Sequence, residues 1–231
     1  MVYLIEPAEI IVEFLRAELI DPRGRHSTTT ETFNGDDATT EFTLTPASGM
    51  VRAIVEVSIG VTDKKKHQDY SIDLDSGKIN FLIAPATGVD NVSVTYKYST
   101  GGNEWIYPDM PRVKDLSTTK FPRISVIIAN ETGNRAGNYQ APVLSAPIVQ
   151  IDVWTKEDYT YAIGGRNYED NELTRYLARK CEQAFNNEID ELYPKLYNYI
   201  KRNLIPMPFD EKNQLFRHTL EISLLGVDLG E

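Results

Sequence analysis

The feature that most constrains this chain is a change in the spacing of its apolar residues. Residues 7–20 repeat apolar side chains at helical spacing, beginning at Pro7, which suits the first turn of a helix. From residue 33 to residue 99 the period is two, in short runs such as "TEFTLT", "VRAIVEVSI" and "VSVTYKY" that are separated by turn sequences. Apolar residues at a spacing of two lie on one face of a strand but are scattered around a helix. The sequence therefore predicts an all-β domain after an N-terminal helix.

Beyond this block the pattern becomes mixed. The segments "FPRISVII" at 121–128, "PIVQIDVWT" at 147–155 and "RHTLEISLLGV" at 217–227 alternate like strands. Residues 171–189 carry a helical stripe, and a further helix is predicted after Pro194 from Leu196, Ile200 and Leu204.

Together these segments predict an α+β fold, a small mixed sheet packed with helices, with an inserted all-β sandwich domain. The domain boundaries expected from the sequence are 1–27 and 101–231 for the α+β domain, and 28–100 for the insertion.

Composition restricts the classes of partner. The net charge of −10 argues against a broad nucleic-acid interface, because phosphate binding needs clustered Lys and Arg. The densest basic run, Lys64 to Lys66, is followed by His67 and is typical of a solvated hairpin loop.

No apolar run approaches the ~18 residues that span a bilayer, so no membrane partner is expected. Cys181 is the single cysteine, which leaves no internal disulfide and fits a reducing compartment.

No catalytic motif stands out. The sequence lacks the glycine-rich nucleotide loops, the G-x-S-x-G nucleophile elbow and the H-E-x-x-H zinc motif. His26, His67 and His218 are far apart in sequence and have no second ligand at metal-binding spacing. A nucleophilic pair of Cys181 and His218 is conceivable, but Cys181 falls on the apolar helix stripe, which favours a buried structural thiol. We therefore expect no enzyme and no cofactor or metal.

One segment leaves two interpretations open. "DLDSG" places Asp73, Asp75 and Gly77 at the spacing that starts a calcium loop. The later bidentate glutamate of such a loop is missing, and the segment lies between two predicted strands. A hairpin turn that ends in glycine is the favoured interpretation, and calcium binding by the two aspartates is left open.

The segment "NETGNRAGNYQAP" at 130–142 is too long and too rich in Gly and Asn for a tight turn, so it is predicted to be an exposed hairpin arm. Arg135 could make a fork-shaped contact with a partner carboxylate. The interface candidates in this arm are Gly133, Asn134, Arg135, Asn138 and Tyr139.

The order of the mixed elements resembles the tail terminator, or tail completion, proteins of long-tailed phages. The resemblance rests on the N-terminal helix, "FPRISVII", "PIVQIDVWT", the helix "NELTRYLARKCEQAFNNEI" and "HTLEISLLGV". The inserted block resembles a β-module of phage virion proteins. The residues that carry this second resemblance are Phe33, Gly35, Asp36, Thr39, Thr40, Phe42, Asp69, Tyr70, Gly77, Ile79, Phe81, Ala84, Pro85, Val92, Val94 and Tyr96.

The resemblance implies a structural virion protein of the tail or neck that is assembled in the host cytoplasm. It would form a homohexameric ring that caps the tail tube, binds the tail tube protein, and joins the tail to the head connector or stopper proteins. DNA would pass through the lumen without specific binding, and the acidic balance of the chain fits that role.

Two alternatives stay open: another neck or head-completion protein, and a tail-associated protein whose β-module binds glycan. A glycan site would need aromatic side chains exposed together on one face, whereas Tyr96 and Tyr98 lie in one closing strand.

Overall fold

The structure, a computed structural model, describes residues 7–66, 68–99, 104–112, 116, 120–130, 133–134, 144–145, 148–157, 159–192 and 198–225. It is a mixed α+β protein in which about half of the chain is strand. The helices of the described residues are α1 (Pro7–Glu18) and α2 (Asp170–Leu192). The chain forms two compact units. We call Arg16–Glu104 the β unit, and Met1–Leu15 with Trp105–Glu231 the sheet–helix unit.

The β unit consists of two antiparallel sheets, in the strand orders β1-β7-β3-β4 and β2-β6-β5. Its strands are β1 (Ser27–Gly35), β2 (Glu41–Thr43), β3 (Met50–Ile59), β4 (Thr62–Asp63), β5 (Tyr70–Asp73), β6 (Lys78–Phe81) and β7 (Gly88–Ser99). The strands predicted from the period-two block are therefore confirmed.

One hydrophobic cluster takes side chains from both sheets of the β unit. Alternate residues of β7, namely Val92, Val94 and Tyr96, are fully buried in it, as the period of two requires. Phe42 of β2 packs edge-on against Phe81 of β6, with ring centroids 5.8 Å apart. This shared cluster holds the two sheets together.

The sheet–helix unit is built on one five-stranded sheet in the order β15-β16-β12-β9-β8. Only the β8–β9 pair of this sheet is parallel. The strands of the unit are β8 (Ile106–Tyr107), β9 (Arg123–Asn130), β10 (Gly133–Asn134), β11 (Leu144–Ser145), β12 (Ile148–Lys156), β13 (Thr160–Ile163), β14 (Arg166–Glu169), β15 (Asn198–Pro206) and β16 (Leu215–Leu225).

One face of this sheet packs against α2, which contacts β12 and β16. Val149, Ile151 and Val153 alternate along β12 and are fully buried, as their spacing predicts. On α2 the predicted stripe is confirmed by the burial of Leu173 and Leu177. The buried residues farther along the stripe are Cys181, Ala184 and Phe185.

The helix predicted after Pro194 is wrong. Residues 198–206 form β15, which pairs along β16 from Asn198 opposite Leu225 to Pro206 opposite His218. A spacing of four residues between Ile200 and Leu204 satisfies a helix and a strand equally, so the pattern could not decide between them. The hydrogen bonds to β16 favour the strand over the helix. Residues 193–197, with Leu196, lie outside the described residues.

Replacing Leu177 by alanine is expected to lower the free energy of unfolding by about 2–5 kcal/mol, because it leaves a cavity between α2 and the sheet. Arg179→Ala, at an exposed position of the same helix, should change it by about 0.5 kcal/mol or less. Urea denaturation of both variants measures the difference. Equal effects would contradict the packing of α2 against the sheet.

Candidate functional site

The predicted arm is described only at its base. Gly133 and Asn134 form β10, whose backbone pairs with Ser145 and Leu144 of β11. Arg135, Asn138 and Tyr139 lie outside the described residues. The assignment of this arm as an interface stays a prediction.

The "DLDSG" segment forms the turn between β5 and β6, which confirms the hairpin interpretation. The Asp73 carboxylate accepts a hydrogen bond from the Ser76 hydroxyl at 2.7 Å and others from the N–H groups of Ser76 and Asp75. These bonds, led by the Ser76 hydroxyl, lower the pKa of Asp73. Gly77 closes the turn with a φ of +67°, which favours glycine. Among the described residues, no group of three or more His, Cys, Asp and Glu side chains is arranged to hold a metal ion.

Cys181 is fully buried on α2, and burial raises the pKa of its thiol to about 12. The thiol is therefore protonated at neutral pH, which confirms the structural interpretation of this residue. In the part of the chain that the structure describes, no helix is long and apolar enough to cross a membrane.

The face of the five-stranded sheet opposite α2 carries a buried polar row across β9, β12 and β16. Ser125 and Asp152 are fully buried, and Thr219 is nearly so. The Asp152 carboxylate accepts hydrogen bonds from the Thr219 hydroxyl and from Gln150 Nε2, the latter at 2.7 Å. His218 lies in register with Val153 and so faces the other side of the sheet. Asp152 is thus part of a hydrogen-bonded structural network and does not form an Asp–His pair.

Three loops meet at one end of the β unit. Strands β1 and β3 end there at Gly35 and Ile59, and β7 begins there at Gly88. The unit's first and last strand residues, Ser27 and Ser99, lie at the opposite end. We call the described residues of the segments 36–40, 60–66, 68–69 and 82–87 the distal loops.

The Asn91 side chain, in β7, ties the segment 82–87 to the end of β1. Its side-chain oxygen accepts a hydrogen bond from the Gly35 N–H at 2.7 Å, and its Nδ2 donates to the Ala86 carbonyl at 2.7 Å. A Cβ on Gly35 would collide with the Ala86 carbonyl oxygen and lie 2.9 Å from that of Pro85. The backbone therefore approaches itself so closely that only glycine fits at position 35.

Aspartates hold the remaining loop backbone. The Asp36 carboxylate accepts hydrogen bonds from the N–H groups of Ala38 and Thr39, at 2.9 and 2.6 Å, which lower its pKa. The Asp69 carboxylate accepts from the Lys65 N–H at 2.8 Å, and the Asp69 carbonyl accepts from the Leu82 N–H at 2.9 Å. The loops are thus held in one arrangement by the chain itself.

The distal loops expose Val61, Leu82 and Ile83, and the start of β7 exposes Val89; we call these four aliphatic side chains the distal apolar tip. Their exposed fractions are 102%, 68%, 83% and 82%. The alternating pattern of residues 78–83 predicts that Leu82 and Ile83 continue a strand, whereas β6 ends at Phe81. The signal in the sequence was the run of three consecutive apolar residues from Phe81 to Ile83, which breaks the alternation of a half-buried strand. Aliphatic side chains on a rigid loop platform are a candidate docking site.

The residues that carry the resemblance to a virion β-module now have physical roles. Gly35, Asp36 and Asp69 build the distal loops, whereas Phe42 and Tyr96 fill the core. These residues therefore form the loops and the core of the β unit, and none of them is a side chain of the distal apolar tip.

No known protein-family model matches this chain, and a search of curated protein sequences finds no significant match.

Gly35→Ala is expected to destabilise the β unit by about 3 kcal/mol, because the added Cβ collides with backbone that cannot yield without breaking the Asn91 contacts. Gly60→Ala is the matched control, since its φ is +61° and no atom lies within 4 Å of the new Cβ. Its cost should be about 1 kcal/mol from backbone strain alone. Urea denaturation distinguishes the two, and equal costs would contradict the close approach of the loops.

Proposed function

We propose that this protein is a structural virion protein of a long-tailed phage, a ring-forming tail terminator that caps the tail tube and joins it to the head connector. The observation that carries the proposal is the architecture: a sheet–helix unit with an all-β unit inserted after its first helix. The order α1, β9, β12, α2, β16 is the order on which the resemblance to tail terminators rests.

The β unit supports the proposal as an inserted sandwich-like module. Its two sheets share one hydrophobic cluster, so it can bury a core of its own. An insertion of this kind costs little loop-closure entropy when its ends lie close together. Ser27 lies opposite Tyr98, and the next residue along that strand is Ser99, which lies opposite Met50. The first and last strands of the module therefore begin and end at the same end of the sheet, close to each other.

The open edge of the five-stranded sheet supports a ring. Among the described residues, strand β15 pairs only with β16 and so stands at the end of the sheet. Its outer N–H and C=O groups can pair with a neighbouring subunit, which is the usual use of an exposed edge strand. The hairpin that begins at Gly133 and Asn134 is the second contact that we propose for the ring or the tail tube. A hexamer is the ring size that the resemblance implies.

The glycan-binding alternative is less well supported by the β unit. Tyr96 is fully buried and its hydroxyl donates to Glu31, while Tyr98 is partly buried against the core. The large apolar side chains that the described β unit exposes are aliphatic: Ile20, Met50, Val55, Val61, Leu82, Ile83 and Val89. Glycan stacking needs aromatic faces, so this surface fits protein contact better.

Removing the gene from the phage that encodes this chain separates the candidates. A tail terminator stops growth of the tube, so we expect filled heads beside unattached tails of irregular length in negative-stain electron micrographs. Expression of the full chain from a plasmid should restore complete particles of normal tail length.

The other outcomes identify the alternatives. Unattached tails of normal length would indicate another neck or head-completion protein. Complete particles that fail to adsorb to cells would indicate a receptor-binding protein. Either result would overturn the proposed terminator function.

A further inference from the structure

We propose that the exposed face of α2 and the β13–β14 hairpin form a short binding site for single-stranded nucleic acid. The site combines cations with tyrosines, and we call it the basic–aromatic strip: Arg175, Arg179, Lys180, Tyr159, Tyr168 and Tyr176. The net charge of −10 argues against a broad nucleic-acid interface, but it leaves room for a local surface of the opposite sign. The inference goes beyond the proposed function and does not depend on it.

Contacts between aromatic rings join the tyrosines into one continuous surface. Tyr161 on β13 lies opposite Tyr168 on β14, and the Tyr161 ring stacks on that of Tyr159 with centroids 6.1 Å apart. The Tyr168 ring contacts the Tyr176 ring of α2, with centroids 4.4 Å apart. The hairpin is therefore attached to α2 through its tyrosines, and Tyr159, at one end of the row, remains 41% exposed.

The cations of the strip lie beside Tyr176 on α2. Arg175, Arg179 and Lys180 are exposed. The Lys180 ammonium lies 5.7 Å from the centroid of the Tyr176 ring, and within the described residues no carboxylate forms an ion pair with any of the three cations. Arg175 and Arg179 are four residues apart, a spacing at which like charges on a helix repel each other. A bound polyanion removes this repulsion.

The carboxylates closest to the strip do not cancel its charge. Glu172 on α2 pairs with Arg166, whose guanidinium also lies 5.0 Å from the centroid of the Tyr168 ring. Glu169 follows Tyr168 on β14, so its side chain lies on the other face of that strand. Glu182 is half-buried. The exposed surface around the three cations of α2 is therefore positive.

The strip is short, because the later part of α2 carries Glu188, Asp190 and Glu191. The Lys and Arg residues of this helix are confined to residues 175–180, a length of about 8 Å along its axis. Phosphates of one stacked strand follow each other every 3.4 Å or so, and the cations therefore match about three of them. A site of this size holds a few nucleotides.

The tyrosines indicate which polyanion fits. Arginine and lysine contact phosphates, and an exposed tyrosine beside them offers a face on which an unpaired base can stack. The bases of a duplex are stacked on each other and cannot use that face. An acidic polypeptide would engage the cations but has no base to stack. Insertion into an anionic lipid surface needs exposed aliphatic side chains, whereas the large apolar side chain that the strip exposes is Tyr159.

Fluorescence anisotropy of labelled oligothymidylate with the full chain tests the cations. Wild-type protein should bind at low ionic strength, and log K should fall with log salt with a slope of about −2, as expected for three phosphates of a single strand. Arg179→Gln/Lys180→Gln should raise the Kd about tenfold or more and reduce the slope to about −0.7. Lys64→Gln/Lys65→Gln is the matched control, because it removes two cations of the densest basic run, and it should leave the Kd unchanged.

Substitution of Tyr159 tests the stacking face. Tyr159→Ala should raise the Kd for oligothymidylate about fivefold or more, because a base loses the ring on which it stacks. Tyr159→Phe keeps the ring and should bind like wild type. Duplex DNA of the same length should bind wild type more weakly than the single strand does.

Any of five results would overturn the inference. Wild type might fail to bind oligothymidylate at low ionic strength, the control variant Lys64→Gln/Lys65→Gln might lose as much affinity as Arg179→Gln/Lys180→Gln, or Tyr159→Ala might bind like wild type. Duplex DNA that binds as tightly as the single strand would show that the bases take no part. Poly-L-glutamate that displaces oligothymidylate as well as unlabelled oligothymidylate does, at equal charge, would identify an acidic polypeptide as the ligand. The gene-removal phenotype is independent of all five results.

Discussion

The close approach of two loops at Gly35 is the constraint on which the distal end of the β unit depends. The Asn91 side chain binds the backbone of Gly35 and of Ala86, and so joins the end of β1 to the segment that leads into β7. This contact acts together with the hydrogen bond from the Leu82 N–H to the Asp69 carbonyl and that from the Asp37 N–H to the Pro85 carbonyl, which hold the same segment. The exposed aliphatic surface follows from a backbone contact that only glycine permits.

The two units use their carboxylates in different structural settings, buried in the sheet–helix unit and at exposed or partly exposed loops in the β unit. In the sheet–helix unit, Asp152 is enclosed by hydrogen bonds from Thr219 and Gln150 and takes part in the structure of the sheet. In the β unit, the carboxylates of Asp36 and Asp69 accept hydrogen bonds from backbone N–H groups of the loops. The carboxylates at both places have structural roles, and the surfaces left for function include the aliphatic tip and the open edge of β15.

Much of the fold could be predicted from the period of the apolar residues. The alternation of Val149, Ile151 and Val153 fixed both the strand and its buried face, and burial of Cys181 followed from the helical stripe. The pattern failed at residues 198–206, because a spacing of four residues fits a helix and a strand, and only pairing with β16 decides between them. It also failed at the tip, because the exposure of Leu82 and Ile83 depends on β6 ending at Phe81. Strand ends are set by tertiary hydrogen bonds that a local pattern does not contain.

The distal loops are held by the chain's own hydrogen bonds, so they should be formed before any partner binds. Amide hydrogen exchange by NMR on the free, full-length chain tests it at Gly35, Asp37, Lys65 and Leu82, whose N–H groups donate to the chain's own acceptors. We expect slow exchange at these four amides, with opening free energies of about 2 kcal/mol or more. Exchange at the rate of an unstructured peptide would contradict it.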